Sequence, residues 1–273
     1  MTFVEWDPAV YVRRASERAR PFVDLLARVG AEPGAVRSVT DVGCGPGHLT
    51  ATLADRFPHA RITGLDSSPE MITEAQTRAG DDLRFAIGDA TTWLPAPATD
   101  VVVCNATLHW IPDHPDLIRR WADALRPGAW LAIQVPGNYD APSHVAVRAL
   151  RADPRWADRL TGIAESGRVL DPAGYATLLA AAGCDVDAWE TTYLHELRAD
   201  TDDHPVRGWL EGTTLRPVIA ALPAEEYPRF AAELEERLAA EYPVTDGRAW
   251  YPFRRVFVVA RKRLPEGSGG RQP

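Results

Sequence analysis

The sequence predicts an α/β protein built on an open, mostly parallel sheet. Segments typical of strands alternate with segments typical of helices from residue 38 to residue 135. This alternation specifies right-handed crossovers between parallel strands. The first strand ends in a glycine-rich run, 41–47, which opens a helix. Because ligands of such sheets bind beyond the carboxyl ends of the strands, this run marks the predicted binding site.

Hydrophobic spacing and helix caps predict the elements of the core. Residues 11–30 place apolar side chains at helical spacing before Gly30, a suitable helix end. Pro69 fits the first turn of a helix, and the strongly apolar segment 100–104 is typical of a central strand buried on both faces. The predicted order is helix 11–30, strand 38–42, helix 47–57, strand 60–65, a helix from residue 69, strands 83–87 and 100–104, helix 114–125 and strand 129–135.

The pattern changes after residue 135. Residues 137–168 hold several prolines and no strand pattern, so an irregular or helical covering segment is expected. Asp171 and Pro172 predict the N-cap and the first position of a helix that ends at Gly183. The predicted elements that follow are strand 184–197, a helical stretch 205–241, strand 253–260 and a disordered polar tail, 264–273.

The composition is that of an ordinary globular protein. The 273 residues are 45% hydrophobic and 25% charged, and no run reaches the about 18 apolar residues of a membrane helix. The net charge of -8 argues against a nucleic-acid partner, because such binding depends on neutralising phosphates. The first eight residues contain no basic segment, so neither a signal peptide nor a membrane partner is predicted, and a cytoplasmic location is expected. The 3 cysteines are too widely spaced for a disulfide framework or a zinc site, and no metal is expected.

The glycine run has a spacing of its own. Gly43, Gly45 and Gly47 stand at every second position, unlike the G-x-G-x-x-G spacing of a dinucleotide site. The leading Asp41 disfavours a phosphate and favours a cationic ligand end, such as an α-ammonium or a sulfonium group. Asp66 ends the second predicted strand, where an acid can accept hydrogen bonds from ribose hydroxyls. These features predict a site for a cationic nucleoside.

Four motifs together carry a family resemblance. They are Asp41-Val-Gly-Cys-Gly-Pro-Gly47, Gly64-Leu-Asp-Ser-Ser68, Gly88-Asp-Ala90 and Leu125-Arg-Pro-Gly128. In this order they resemble the motif set of class I S-adenosylmethionine-dependent methyltransferases. The resemblance implies a Rossmann-like fold with a seven-stranded, mostly parallel sheet and a reversed last strand. It also implies S-adenosylmethionine as the cofactor.

The cofactor contacts are expected mainly from the glycine run and the strand ends. Asp89, at the end of the third strand, can bind the amino edge of adenine. Tyr11 and Arg20, on the first helix, can close over the methionine end of the cofactor, with Arg20 meeting its carboxylate. The full predicted set is Tyr11, Arg20, Asp41, Gly43, Cys44, Gly45, Gly47, Asp66, Ser67, Met71, Asp89, Ala90, Asn105 and Trp110.

Further segments resemble one family within this class, the trans-aconitate 2-methyltransferases. They are Trp6-Asp-Pro8, Asn105 to His114, Thr191 to His195, Leu215-Arg-Pro217 and Phe253 to Arg261. The resemblance implies methyl transfer to one carboxylate of a tricarboxylate, trans-aconitate, giving a monomethyl ester. A carboxylate is already ionised at neutral pH, so neither a general base nor a metal is required. The enzyme's part is to align the reacting atoms in a dry pocket.

Arginines are the expected ligands for the remaining charges of such a substrate, because the guanidinium binds carboxylates bidentately. A solvated surface charge is the usual role of any single arginine. Arg216 stands between apolar residues, and alternation places either Arg254 or Arg255 on the covered face of the last strand. Tyr193 and His195 share one strand face and can bind a carboxylate or form a half-buried aromatic pair. His109 and Trp110, near the expected position of the transferred methyl, are candidates for a catalytic role or for core packing.

Expected domain boundaries follow from this resemblance. One structural domain is predicted, with an N-terminal cap helix in 1–35, a cofactor-binding core in 36–136 and the rest of the sheet in 137–263. Helical insertions that cover the substrate are expected at about 137–168 and 203–245. Nothing in the sequence predicts the oligomeric state.

Other functions remain open at this stage. A methyltransferase of the same fold could act on another small metabolite through oxygen, nitrogen or carbon. A neutral acceptor would need a base, for which His109, His144 and His195 are candidates. A non-catalytic cofactor-binding protein on the same fold is a further alternative. An NAD-dependent dehydrogenase is disfavoured by the glycine spacing.

Overall fold

A seven-stranded sheet forms the centre of the structure, a computed structural model that describes residues 15–265. The strands are β1 (Ser38–Val42), β2 (Arg61–Asp66), β3 (Leu83–Ile87), β4 (Val101–Asn105), β5 (Trp130–Pro136), β6 (Cys184–Arg198) and β7 (Arg248–Lys262). Their order is β3-β2-β1-β4-β5-β7-β6, and β7 runs antiparallel to both of its neighbours while β1 to β5 pair in parallel. The predicted fold class and the reversed last strand are therefore confirmed.

Within the described range, one α-helix precedes β1, and the other α-helices lie in the connections between strands. They are α1 (Ala15–Ala27), α2 (His48–Ala51), α3 (Leu53–Arg56), α4 (Pro69–Gln76), α5 (His114–Ala124), α6 (Pro142–Arg151), α7 (Pro154–Leu160), α8 (Pro172–Ala181), α9 (Pro205–Glu211), α10 (Arg216–Ala221) and α11 (Tyr227–Glu241). The Asp171 carboxylate accepts the Gly174 N–H at 2.7 Å, and Gly183 stops α8 with a φ of 76°. Both predicted ends of α8 are confirmed. No helix among residues 15–265 has the length and apolar character needed to cross a membrane.

The sheet buries a core on each face, because successive side chains of a strand point to opposite sides. On one face α1, α3 and neighbouring segments pack against β-strand residues such as Val103 and Phe257. On the other face α5 and α8 contribute Trp121 and Tyr175, which pack with residues such as Val102. The face covered by α1 is called the α1 face below.

The antiparallel pair of β6 and β7 extends well beyond the rest of the sheet. Each strand has 15 residues, but β5 pairs only with the part of β7 from Arg255 to Arg261. The outer part carries a third core, in which Leu197, Tyr251 and Phe253 pack with α6, α7, α9, α10 and α11. These five helices are called the helical cover.

The sequence prediction placed the start of the last strand too late, at residue 253, whereas β7 begins at Arg248. Pro252 argues against a strand in sequence terms, but it lies where β7 pairs only with β6 and its other edge is not needed for the ladder. Helix 47–57 is also divided, into α2 and α3, with Thr52 between them. Tyr11, the segment 6–8 and most of the tail 264–273 lie outside the described residues.

Candidate active site

The glycine run after β1 is a tight turn in which all three glycines have a left-handed backbone. The φ angles of Gly43, Gly45 and Gly47 are 80°, 55° and 79°, values that side chains rarely tolerate. A Cβ on Gly43 would lie 2.0 Å from the Thr107 Oγ1 atom, and one on Gly47 would lie 2.7 Å from the Phe85 ring. A Cβ on Gly45 would meet nothing within 4 Å. Packing therefore requires the outer two glycines, while the middle one borders open space that a ligand can occupy.

Asp66, at the end of β2, holds this turn. Its carboxylate accepts the Gly45 N–H at 2.9 Å and the Ser68 N–H at 2.9 Å. Burial raises the pKa of Asp66, and these backbone hydrogen bonds oppose the rise. Each carboxylate oxygen has further lone pairs, so the group can still accept hydrogen bonds from a ligand.

Asp41, at the end of β1, is almost fully buried beside the turn. It accepts a hydrogen bond of 2.6 Å from the Thr50 hydroxyl on α2. Burial, together with the charge of Asp66, raises the pKa of Asp41 to about 7 despite that bond. A cation placed next to this carboxyl group would favour its ionised form.

A strained turn follows β4. Ala106 has a φ of 56°, which is uncommon for a residue with a side chain, and its N–H donates to the Gln134 carbonyl of β5 at 2.9 Å. The next residue, Thr107, packs against Gly43. The preceding Asn105 ends β4 with a buried Oδ1 atom that has no hydrogen-bond partner among the described residues. The turn thus joins the glycine run to β5 and leaves a polar atom for a ligand.

A buried Gln–Arg pair lies on the next two strands. The Arg255 Nη1 atom of β7 donates to the Gln134 Oε1 atom of β5 at 3.1 Å, and both side chains are buried. A guanidinium has no acceptor, so the amide must turn its oxygen towards Arg255. The Gln134 Nε2 atom therefore points away from Arg255, and it has no hydrogen-bond partner in the part of the chain that the structure describes.

Five polar side chains form a row across the α1 face. By alternation they share this face with Val39, Ile62, Val103, Ala132 and Phe257 of the same strands. The row is Asp66, Asp41, Asn105, Gln134 and Arg255, on the neighbouring strands β2, β1, β4, β5 and β7. Neighbouring strands lie about 4.8 Å apart, so the row spans on the order of 19 Å. Oxygen atoms that accept hydrogen bonds occupy the end formed by β2, β1 and β4, called the acceptor-rich end below. Nitrogen atoms that donate hydrogen bonds occupy the end formed by β5 and β7, called the donor-rich end.

Two buried histidines lie near the donor-rich end of this row. His109, in the 3-10 turn Leu108–Trp110, has a pKa lowered to about 3 by burial, then by the charges of Arg255, His114 and His144. Burial and Arg148 lower the pKa of His144 to about 4. Both ring nitrogens of His144 lie 3.1 Å from hydroxyls, those of Ser143 and Thr214. Both imidazoles are therefore neutral at pH 7.

Comparison with known proteins identifies the family. A model of the methyltransferase domain matches residues 11–188. A trans-aconitate 2-methyltransferase of Mycolicibacterium gilvum is 56% identical over 260 residues, which cover 94% of this chain and 98% of the relative. One from Mycobacterium tuberculosis is 49% identical over 268 residues, covering 97% of this chain and 100% of the relative. The chain belongs to the trans-aconitate 2-methyltransferase family.

A solved structure supports the fold. The YcgJ protein of Bacillus subtilis aligns with a TM-score of 0.57 and 18% identity, covering 90% of this chain and 100% of that one. At this identity the likeness concerns the fold alone. The family assignment makes the chain a methyltransferase enzyme. Among residues 15–265, no group of three or more His, Cys, Asp or Glu side chains could hold a metal ion.

The two arginines of β7 that were predicted to bind the substrate lie on opposite faces of the sheet. Arg255 joins the row, whereas Arg254 lies on the opposite face, where its Nε and Nη2 atoms bind the Glu190 carboxylate at 3.0 and 2.5 Å. Arg216 is half-buried at the start of α10, two residues beyond Thr214, the residue that contacts His144.

Tyr193 and His195 share a buried strand face, as predicted, with ring centroids 6.5 Å apart. The Tyr193 hydroxyl donates to the Asp24 carboxylate of α1 at 2.6 Å, and His195 stacks on Trp209 with ring centroids 4.5 Å apart. Arg20 lies 5.0 Å from the centre of the Tyr193 ring and is largely exposed. These contacts tie α1 and the helical cover to β6.

The other predicted cofactor residues differ in their exposure to solvent. Cys44 and Met71 are buried, Ala90 and Trp110 are half-buried, and Ser67 and Asp89 are exposed. The Asp89 Oδ1 atom accepts the Thr91 N–H at 2.8 Å, so this carboxylate also shapes its own turn.

Gln134 was absent from the sequence prediction. A lone amide in an otherwise apolar strand was the available indication, because a buried polar side chain requires a partner.

Proposed function

We propose that this protein transfers a methyl group from S-adenosylmethionine to a carboxylate of trans-aconitate, which gives a monomethyl ester and S-adenosylhomocysteine. The observation that carries the proposal is the separation of polar groups along the row. Oxygen acceptors at one end suit a cationic donor, and nitrogen donors at the other end suit an anionic acceptor.

The acceptor-rich end fits the nucleoside. S-adenosylmethionine supplies a methyl group attached to a positively charged sulfonium. Gly45 borders the open space, and the carboxylate of Asp66 can accept hydrogen bonds from ribose hydroxyls. Asp41 and the Oδ1 atom of Asn105 offer negative charge and a lone pair to the cationic part. The remaining predicted contacts, from Tyr11, Arg20, Cys44, Ser67, Met71, Asp89, Ala90 and Trp110, belong to this half of the proposal.

The donor-rich end fits a polycarboxylate. Arg255 is a buried cation on the strand beside β5, and a carboxylate is its natural counter-ion in a region with little water. Arg216, at the start of α10, is a second candidate to meet a carboxylate. The junction between the two reactants is then between β4 and β5. The chain's own tasks are to neutralise the acceptor, orient one carboxylate oxygen and exclude water.

No proton has to be removed from an ionised carboxylate, so the site needs no base. The pKa values of the two buried histidines are consistent with a reaction that needs no base. His109 and His144 have pKa values of about 3 and 4, far from the values near 7 that suit a general base. A neutral acceptor deprotonated by either residue is therefore less well supported.

Methyl transfer can be tested with labelled S-adenosylmethionine and a panel of acids and neutral metabolites. Label on trans-aconitate that is released by mild base is expected, since esters hydrolyse and methylamines and methyl ethers do not. Heat-denatured protein is the control. Label found only on a neutral acceptor would contradict the proposal.

A further inference from the structure

We infer that Gln134 is a specificity residue whose Nε2 atom donates a hydrogen bond to a carboxylate of the acceptor that is not methylated. The inference rests on the proposed function and adds the group that recognises one particular part of the substrate. No sequence motif pointed to this residue.

The orientation of the Gln134 amide is set by Arg255. The Arg255 guanidinium donates to the Oε1 atom of Gln134 at 3.1 Å, so the Nε2 atom, with its two N–H groups, is the part of the amide that faces away from Arg255. The side chain is completely buried, and its Nε2 atom lacks a partner among the described residues. A buried donor without a partner is unfavourable, so a bound acceptor oxygen would relieve that cost.

The Gln134 amide lies near the middle of the polar row. Gln134 pairs in register with Asn105 on β4, and Pro136 of the same strand pairs with Arg255 on β7. The Nε2 atom of Gln134 thus lies between the acceptor-rich end of the row, assigned to S-adenosylmethionine, and the buried guanidinium of Arg255. An anionic group held by Arg255 can reach this donor without leaving the α1 face.

The charge of each carboxylate during the reaction indicates which one these side chains bind. The attacked carboxylate loses its charge as the ester forms, so strong donors on it would stabilise the ground state more than the transition state. A carboxylate that keeps its charge throughout gains equally in both states. The Gln134 amide and the Arg255 guanidinium are therefore better used on a carboxylate that does not react.

The test compares Gln134→Glu and Gln134→Met with the native protein. Glu keeps an oxygen for Arg255 but replaces the donor by a second oxygen, and Met removes both polar atoms at similar volume. Gln76→Met is the matched control, because that amide donates to the Phe85 carbonyl at 2.8 Å, away from the row. Unfolding curves and the Kd for S-adenosylmethionine establish that each variant is folded. If Glu fails to fold, Met carries the test.

The measurements are kcat and KM for trans-aconitate and for analogues that each lack one carboxylate. With trans-aconitate we expect KM to rise about 10- to 100-fold in both variants, as for loss of a hydrogen bond to a charged group. The Kd for S-adenosylmethionine should stay within about threefold, because the acceptor-rich end, to which the cofactor is assigned, is unchanged. With the analogue that lacks the recognised carboxylate, the penalty should disappear.

Two outcomes would overturn the inference while leaving the proposed function intact. One is an equal penalty for every acceptor, and the other is a fall in kcat with an unchanged KM for trans-aconitate. If the native protein does not methylate trans-aconitate at all, the proposed function fails instead. The native enzyme therefore separates the two failures before any variant is measured.

Discussion

The two ends of the polar row are built in different ways. The acceptor-rich end depends on short-range structure, because the glycine run, β2 and the turn after it supply Asp41, Gly45 and Asp66 from one continuous stretch. The donor-rich end depends on long-range pairing, since Gln134 and Arg255 are 121 residues apart in the chain. Backbone hydrogen bonds to Asp66 hold the first, and a hydrogen bond between two buried side chains holds the second.

The difference suggests how one fold can keep its methyl donor and change its acceptor. Glycine conformations and main-chain bonds tolerate few substitutions, so the acceptor-rich end is constrained by geometry. Side chains on β7 and in the helical cover can change without altering the sheet. The substitutions below test this contrast, in decreasing order of their expected effect.

Arg255→Gln should have the largest effect on catalysis. Removal of the buried cation should lower kcat/KM for trans-aconitate by about 10²- to 10³-fold, as for truncation of one partner of a buried charge pair. Arg254→Gln, on the opposite face of the same strand, should change it by less than about tenfold, because exposed ion pairs contribute little. Steady-state kinetics of both variants decide the point. Equal losses would mean that the two faces of β7 do not differ as described.

Asp41→Asn should stabilise the ligand-free protein at pH 8 and weaken cofactor binding. Burial raises the pKa of Asp41 from 3.8 to about 7 in the folded protein. Between these pH values Asp41 is ionised in the unfolded chain but protonated in the folded protein, so the folded state loses stability as the pH rises. Asn removes this cost, on the order of 2–4 kcal/mol above pH 7 and nothing below about pH 4.

Denaturant unfolding at pH 4 and pH 8, with and without S-adenosylmethionine, measures both effects of Asp41→Asn. The native protein should gain more stability from the cofactor than the variant does. A variant that is less stable at pH 8, or that binds the cofactor as tightly, would contradict the role given to this carboxyl group.

Gly45→Ala and Gly43→Ala should separate ligand space from packing. Alanine at Gly45 costs only about 1–2 kcal/mol, for its left-handed backbone, but its Cβ enters the open space, so the Kd for S-adenosylmethionine should rise about tenfold or more. Alanine at Gly43 would collide with Thr107 and should destabilise the protein by roughly 3 kcal/mol or more. Unfolding and binding curves test the pair, and similar destabilisation by both would argue against the open space at Gly45.

Tyr193→Phe should have the smallest effect. Loss of the hydrogen bond to Asp24 should lower the free energy of unfolding by about 1 kcal/mol, because the partner is partly exposed. We expect kcat/KM for trans-aconitate to change by less than about threefold, since the hydroxyl is already used in bracing α1. A large rise in KM with unchanged stability would instead indicate that Tyr193 contacts the substrate.

Much of the fold could be predicted because its determinants are local. The glycine run, the Asp171-Pro172 helix start and the apolar strand 101–104 each express a preference of a few neighbouring residues. The length of the antiparallel β6–β7 pair could not be predicted in the same way. Its outer part is stabilised by helices from distant segments, and Pro252 alone argues against a strand.

The candidate site divides along the same line. The sequence alone predicts the α/β class, which the structure confirms, and a cationic nucleoside site with the acids Asp41 and Asp66, which stays a prediction. Both depend on local patterns, the alternation of elements for the class and one turn with its neighbouring strand ends for the site. The tertiary structure was needed to show that Arg255 lies in the polar row beside Gln134, whereas Arg254 lies on the opposite face beside Glu190. Strand pairing sets which face each side chain occupies, and a pairing between β5 and β7 depends on contacts that no single segment contains.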